Sequence, residues 1–156
     1  MTTLMLTRKI AARPSIVFDA LTNAESIMHW WCPDTGEVLA AKTDLRVGGS
    51  FRVRFRKIDG SEHETYGEYL EIERPQRLVM SWRWVGGRED PGESRVEITL
   101  RAEGDHAELT LVHSKLDNEG TLSSHLNGWN GALDKLEAAI QRRGVQAQVR
   151  EMEDNP

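Results

Sequence analysis

Residues 118–143, NEGTLSSHLNGWNGALDKLEAAIQRR, carry a single apolar stripe. Leu122, Leu126, Trp129, Leu133, Leu136 and Ile140 recur at alternating steps of four and three, the spacing of one face of an α-helix. Asn127, Asp134, Lys135, Glu137 and Gln141 make the opposite, wet face. Asp117 or Asn118 suits the N-cap, and Arg142 and Arg143 before Gly144 suit the negative end of the dipole and a left-handed residue beyond it. These 26 residues span roughly 40 Å as a helix. Gly128 and Gly131 flank Trp129, and each costs roughly 1 kcal/mol relative to alanine in a helix interior. Two compatible reasons are a close approach of the helix to the sheet and room for a ligand beside Trp129.

Working outward, the rest of the chain reads almost entirely as strand. Leu4, Leu6 and Ile10 alternate in a first strand whose face Arg8 shares. Arg13-Pro14-Ser15 opens a short helix and Asn23 or Ala24 a second, which Pro33 ends after Trp30 and Trp31; together they read as a lid. From Glu37 a period of two runs through six segments, 37–46, 50–58, 63–73, 77–85, 93–102 and 106–113, separated by turn residues such as Gly48-Gly49, Asp59-Gly60 and Gly104-Asp105. The prediction is α+β: a seven-stranded curved antiparallel sheet wrapped around one long C-terminal helix, with two short helices after the first strand. Residues 1–143 form one domain and 144–156 a flexible tail.

The alternation assigns faces. Phe51, Val53 and Phe55 point inward and Arg52, Arg54 and Arg56 outward to solvent. Leu78, Met80, Trp82 and Trp84 share the inner face, as do Val96, Ile98 and Leu100, then Leu109, Leu111 and His113. On the strand around Tyr66 the apolar Leu70 and Ile72 take the inner face, and period two carries Tyr66 and Glu68 in with them. One helix covers only the middle of a curled sheet, so these side chains predict a cavity with apolar walls and few polar groups.

Composition narrows the function. A net charge of −5 with interleaved signs offers no basic face for nucleic acid. The lone Cys32 forms no internal disulfide and reads as a packing thiol. No apolar leader or membrane-spanning run appears, so a cytoplasmic location is expected. His29, His63, His106, His113 and His125 lack paired metal-ligand spacing, and there is no phosphate loop, dinucleotide fingerprint or serine elbow. No metal, cofactor or catalytic set is expected. Glu68, inward on an apolar face, is the best single carboxylate for acid or base chemistry; His113 and His125, at the end of the last strand and the start of the helix, approach the same end of the cavity.

The segments Ala12-Arg13-Pro14-Ser15-Ile16-Val17-Phe18-Asp19-Ala20-Leu21-Thr22, Trp30-Trp31, Val47-Gly48-Gly49-Ser50-Phe51, Gly67 to Pro75 and His125-Leu126-Asn127-Gly128-Trp129 follow in an order that resembles the activator of heat-shock protein 90 ATPase homologue-like family. That family lies in the START and birch-pollen-allergen superfamily. The resemblance implies a helix-grip fold over about Thr3 to Gln141. It also implies three functions: a small-molecule binder, a polyketide cyclase or hydrolase-like enzyme, and a co-chaperone-like module that activates a chaperone ATPase. The leading expectation is non-catalytic binding of a small, largely apolar molecule, aromatic or lipid-like, by a monomer or homodimer, with the chaperone partner not favoured. Trp30, Trp31, Phe51, Phe55, Tyr66, Met80, Trp82, Trp84, Trp129 and Leu133 are the expected walls, and Glu68, His113 and His125 the polar anchors.

Overall fold

The computed structural model describes residues 2–85, 93–116 and 119–153, without the side chains of 119 and 144–153. Strand β1 (Thr2–Ile10) is followed by helices α1 (Pro14–Thr22) and α2 (Ala24–Ile27). Strands β2 (Glu37–Thr43), β3 (Ser50–Arg56), β4 (Glu62–Glu73), β5 (Arg77–Trp84), β6 (Ser94–Glu103) and β7 (His106–Leu116) come next, and helix α3 (Glu119–Glu153) ends the chain. The sheet order is β1-β7-β6-β5-β4-β3-β2, antiparallel throughout. This is the curved seven-stranded sheet gripping one helix that the order of elements predicts.

The topology explains the short helices. β1 and β2 are consecutive strands at opposite edges, so the connection between them crosses six strand spacings, roughly 29 Å. Pro14 sits in the first turn of α1, where its missing N–H costs nothing. The Asn23 side chain caps α2 by accepting from Ser26 N at 3.2 Å. α2 ends at Ile27, before Trp30 and Trp31, so those two residues lie in the bend beyond it and not on the helix as the periodicity suggests.

Of the stripe read from spacing, α3 buries Trp129, Leu133, Leu136 and Ile140, with Ala132 beside them, while Leu122 and Leu126 are half-buried against the core. The helix does not stop at Arg143 but continues through Gly144 to Glu153. Its expected caps at Asp117 and Asn118, and the glycine loop 86–92, lie outside the described residues. Arg8, the one charged residue on the inner face of β1, donates to Asp134 Oδ1 at 2.6 Å and to Asn130 O and Oδ1 at 3.2 and 3.1 Å, tying the strand to the helix.

One strand departs from the alternation. In β4 the buried residues are Thr65 and Tyr69, while Glu68 and Leu70 are exposed. The register with β5 slips between Tyr69 and Glu71, because the backbone of Tyr69 turns to the preceding hairpin: Gly48 N donates to Tyr69 O and Tyr69 N to Gly49 O, both at 2.9 Å. Gly48, at φ +87°, makes that turn. The bulge lets Tyr69 and Ile72 both face the core, which strict period two forbids.

Candidate functional site

Between the middle of the sheet and α3 lies a cluster of rings drawn from five segments. Trp31 stacks on Trp82, with centroids 5.3 Å apart and planes 15° from parallel. Trp129 meets Trp82 at 5.1 Å and Trp31 at 6.5 Å, and Phe51 lies 6.0 to 6.1 Å from both Trp31 and Trp82. Tyr69 packs on Phe51 at 5.6 Å, and its burial, with Asp44 nearby, drives the phenol pKa far above its ordinary value. Gly67 makes room: a Cβ there would come within 2.8 Å of the Phe51 ring and 2.0 Å of Ser81 O.

The expected walls divide. Trp31, Phe51, Met80, Trp82, Trp129 and Leu133 are buried around the cluster. Phe55 is buried beside His63 and Trp84, at 5.4 and 6.0 Å. Trp30 is buried too, but its indole donates to Ala20 O at 2.9 Å, which makes it a bolt between the bend and α1. Tyr66 and Glu68 are corrections: both lie on the outer face, Tyr66 under the Arg52 guanidinium at 5.1 Å and Glu68 in solvent. The bulge at Tyr69 defeats the alternation that placed them inside. Glu68 therefore takes no part in an interior acid or base step.

The two histidines do meet, with ring centroids 4.8 Å apart. His113 is fully buried, and its Nδ1 accepts from Trp129 Nε1 at 3.1 Å. That bond leaves Nε2 as the protonated nitrogen, donating to Ser94 Oγ at 2.8 Å, and the Ser94 hydroxyl donates onward to Trp82 O at 3.2 Å. His125 has the opposite tautomer: Nδ1 donates to Thr121 O at 2.8 Å and Nε2 accepts from Trp84 Nε1 at 3.0 Å. Burial, then the neighbouring His125, pushes the His113 pKa down to about 3, and burial lowers that of His125 against the pull of the Thr121 carbonyl. Both rings are neutral at pH 7 with every nitrogen engaged. They orient the indoles of Trp129 and Trp84, and the N–H of each ring is already engaged.

Two buried polar atoms close by have no partner, Trp82 Nε1 and Thr65 Oγ1. Among the described residues no Asp, Glu, Lys or Arg is buried, and no group of three His, Cys, Asp or Glu could hold a metal ion. Sequence reasoning passed over Tyr69, Thr65 and Ser94. Ser94 was within reach, since it continues the Val96-Ile98-Leu100 alternation and lies across from Trp82; Thr65 was hidden by the bulge.

The bend at 32–36 is fastened rather than hinged, contrary to a lid. Pro33 packs on α3 so closely that a Cβ at Gly131 would lie 1.9 Å from Pro33 O, whereas one at Gly128 meets only Pro33 Cβ at 3.8 Å. Lys135 Nζ donates to Asp34 O at 2.9 Å, and the Asp34 carboxylate accepts from Gly36 N and Ile58 N at 2.8 and 3.2 Å. Cys32 is buried beneath, and burial raises its thiol pKa. Separately, a crevice of about 290 Å³ opens between Lys9, Ile10, Ala11 and His106 on the sheet edge and Glu137, Ile140 and Gln141 on α3.

A family profile described as "Activator of Hsp90 ATPase homolog 1-like protein" matches residues 11–141. Similar solved structures include the AHSA1 protein of Silicibacter pomeroyi, 25% identical over 91% of this chain and 99% of that one, with a TM-score of 0.79. A protein of Chromobacterium violaceum is 25% identical over 88% and 96% of the two chains at a TM-score of 0.75. An uncharacterized protein from Rhizobium leguminosarum, 24% identical over 90% and 95%, has a TM-score of 0.78 and shares the fold. No curated protein matches the chain. No described helix is long and apolar enough to cross a membrane.

Proposed function

The chain belongs to the Activator of Hsp90 ATPase homolog 1-like family, and we propose that it binds a small, largely apolar molecule, aromatic in part, among the rings between the sheet and α3. The observation that carries this reading is the cluster itself: Trp31, Phe51, Tyr69, Trp82 and Trp129 reach one place from five separate segments. Aromatic walls with a few fixed polar groups are the composition of small-molecule sites. The rim is the pair Trp84 and His125, half-buried and joined by one hydrogen bond, where the cluster reaches the surface. Binding separates these rings and inserts the guest between them.

The same geometry supports binding over catalysis. The two histidines are neutral and saturated, and the one carboxylate that sequence placed inside is in solvent. Native mass spectrometry of the protein purified from its own organism tests the reading. A retained molecule of low mass, lost on denaturation, is the expected result. The bare chain mass, together with no uptake of an added apolar aromatic, would overturn it.

A further inference from the structure

We infer that the guest is a neutral, flat molecule bearing one hydrogen-bond-accepting oxygen, and that Trp82 Nε1 and Thr65 Oγ1 read that oxygen; the inference rests on the ligand site proposed above. Both atoms are buried with no partner, a condition native proteins rarely leave without a purpose. They are neighbours in the sheet: Thr65 pairs with Trp84, which lies two residues from Trp82 on the same face of β5. The nearby polar groups cannot serve them. His113 is filled by Trp129 and Ser94, and the Ser94 hydroxyl is spent on Trp82 O.

An indole N–H only donates, and a threonine hydroxyl donates or accepts, so the pair suits an oxygen with two lone pairs, such as a ketone or a phenol. Flatness follows from the walls, since Trp31 and Trp82 present nearly parallel faces. Neutrality follows from the surroundings. Among the described residues no ionised side chain is buried, so a carboxylate or ammonium group brought here would be stripped of water with nothing to balance it.

Three probes of one ring system separate the possibilities: naphthalene, 2-acetylnaphthalene and 2-naphthoate. Affinities are measured by calorimetry at pH 7, and the indole N–H resonance of Trp82, assigned with Trp82→Phe, is followed in ¹⁵N-labelled protein. 2-Acetylnaphthalene is expected to bind about tenfold more tightly than naphthalene and to move the Trp82 N–H resonance downfield, with 2-naphthoate weakest. Thr65→Val, nearly the same shape without the hydroxyl, is expected to cut that advantage, measured as the ratio of the two affinities in the same variant, below about threefold. Equal binding of the two neutral probes, tightest binding by 2-naphthoate, or an advantage untouched by Thr65→Val overturns the inference and leaves the apolar site standing. No binding of either neutral probe removes the site and the inference together.

Discussion

At the scale of single residues, the two glycines of α3 have different causes. Gly128→Ala should raise stability by about 0.5 to 1 kcal/mol, because helix propensity improves and the new methyl meets only Pro33 Cβ at 3.8 Å. Gly131→Ala should lower it by about 2 kcal/mol or more, since the methyl would overlap the Pro33 backbone, which the tethers at Asp34 hold in place. Urea unfolding of the two variants checks both signs. The sequence revealed that something must excuse these glycines; it could not reveal Pro33, a partner almost a hundred positions away. His113 yields a second residue-scale prediction. Its folded pKa, about 3, lies below the ordinary 6.5 of an unfolded chain, so the unfolded state binds the proton first as pH falls. Stability is full above pH 6.5 and declines towards pH 3, by at most roughly 1.4 kcal/mol per unit. His125, whose pKa burial also lowers, adds to the loss as pH falls. Ring ¹⁵N shifts of His113 should stay those of a neutral ring down to pH 4.5, and a midpoint near 6.5 would refute the assignment.

At the scale of elements, β4 shows how far alternation can be trusted. In β3, β5, β6 and β7 as far as His113 the apolar side chains lie where period two predicts, because those stretches carry no extra residue of their own. β4 is bulged by the Gly48-Gly49 turn, and every residue on the N-terminal side of the slip is read one face out. The sequence contained the two glycines but no sign that their backbone would capture that of Tyr69. The corrected register makes a paired prediction. Glu68→Gln should change stability by less than about 0.5 kcal/mol and leave probe affinities within twofold, since the side chain is exposed. Thr65→Val should raise stability by about 1 kcal/mol, by removing a buried hydroxyl that has no partner. Thermal melts of both variants decide this, and a large loss of stability in Thr65→Val would show that the hydroxyl is bonded after all.

At the scale of the whole molecule, the order of strands and helices made the fold legible, and the charge pattern made the outer surface legible as well. Arg52, Arg54 and Arg56 lie directly across from Tyr66, Glu64 and Glu62. Arg52 pairs with Glu64 at 3.2 Å, and Arg56 with Glu37 and Glu62 at 3.2 and 3.6 Å. Further along, Arg77 bridges Glu71 and Glu97 at 2.8 and 2.5 Å, and with Arg95 this lattice roofs the buried Val79. The large apolar side chains exposed among the described residues, Met5, Ile16, Met28, Val47, Ile58, Leu70 and Val85, come one from each of seven separate elements or turns. A docked chaperone needs roughly 800 Å² of matched surface on each partner, with an apolar centre. A face whose charges are already paired within the sheet would have to give up those partners to offer it. The co-chaperone reading that the family name invites is therefore expected to fail a direct test, in which the protein is added to the bacterial chaperone at low salt and ATP hydrolysis is measured. Unchanged hydrolysis is the expected result. Stimulation that disappears when Arg52, Arg54 and Arg56 are replaced together by Gln, in a variant whose probe binding is intact, would move function to the outer sheet and make the aromatic interior a packing device.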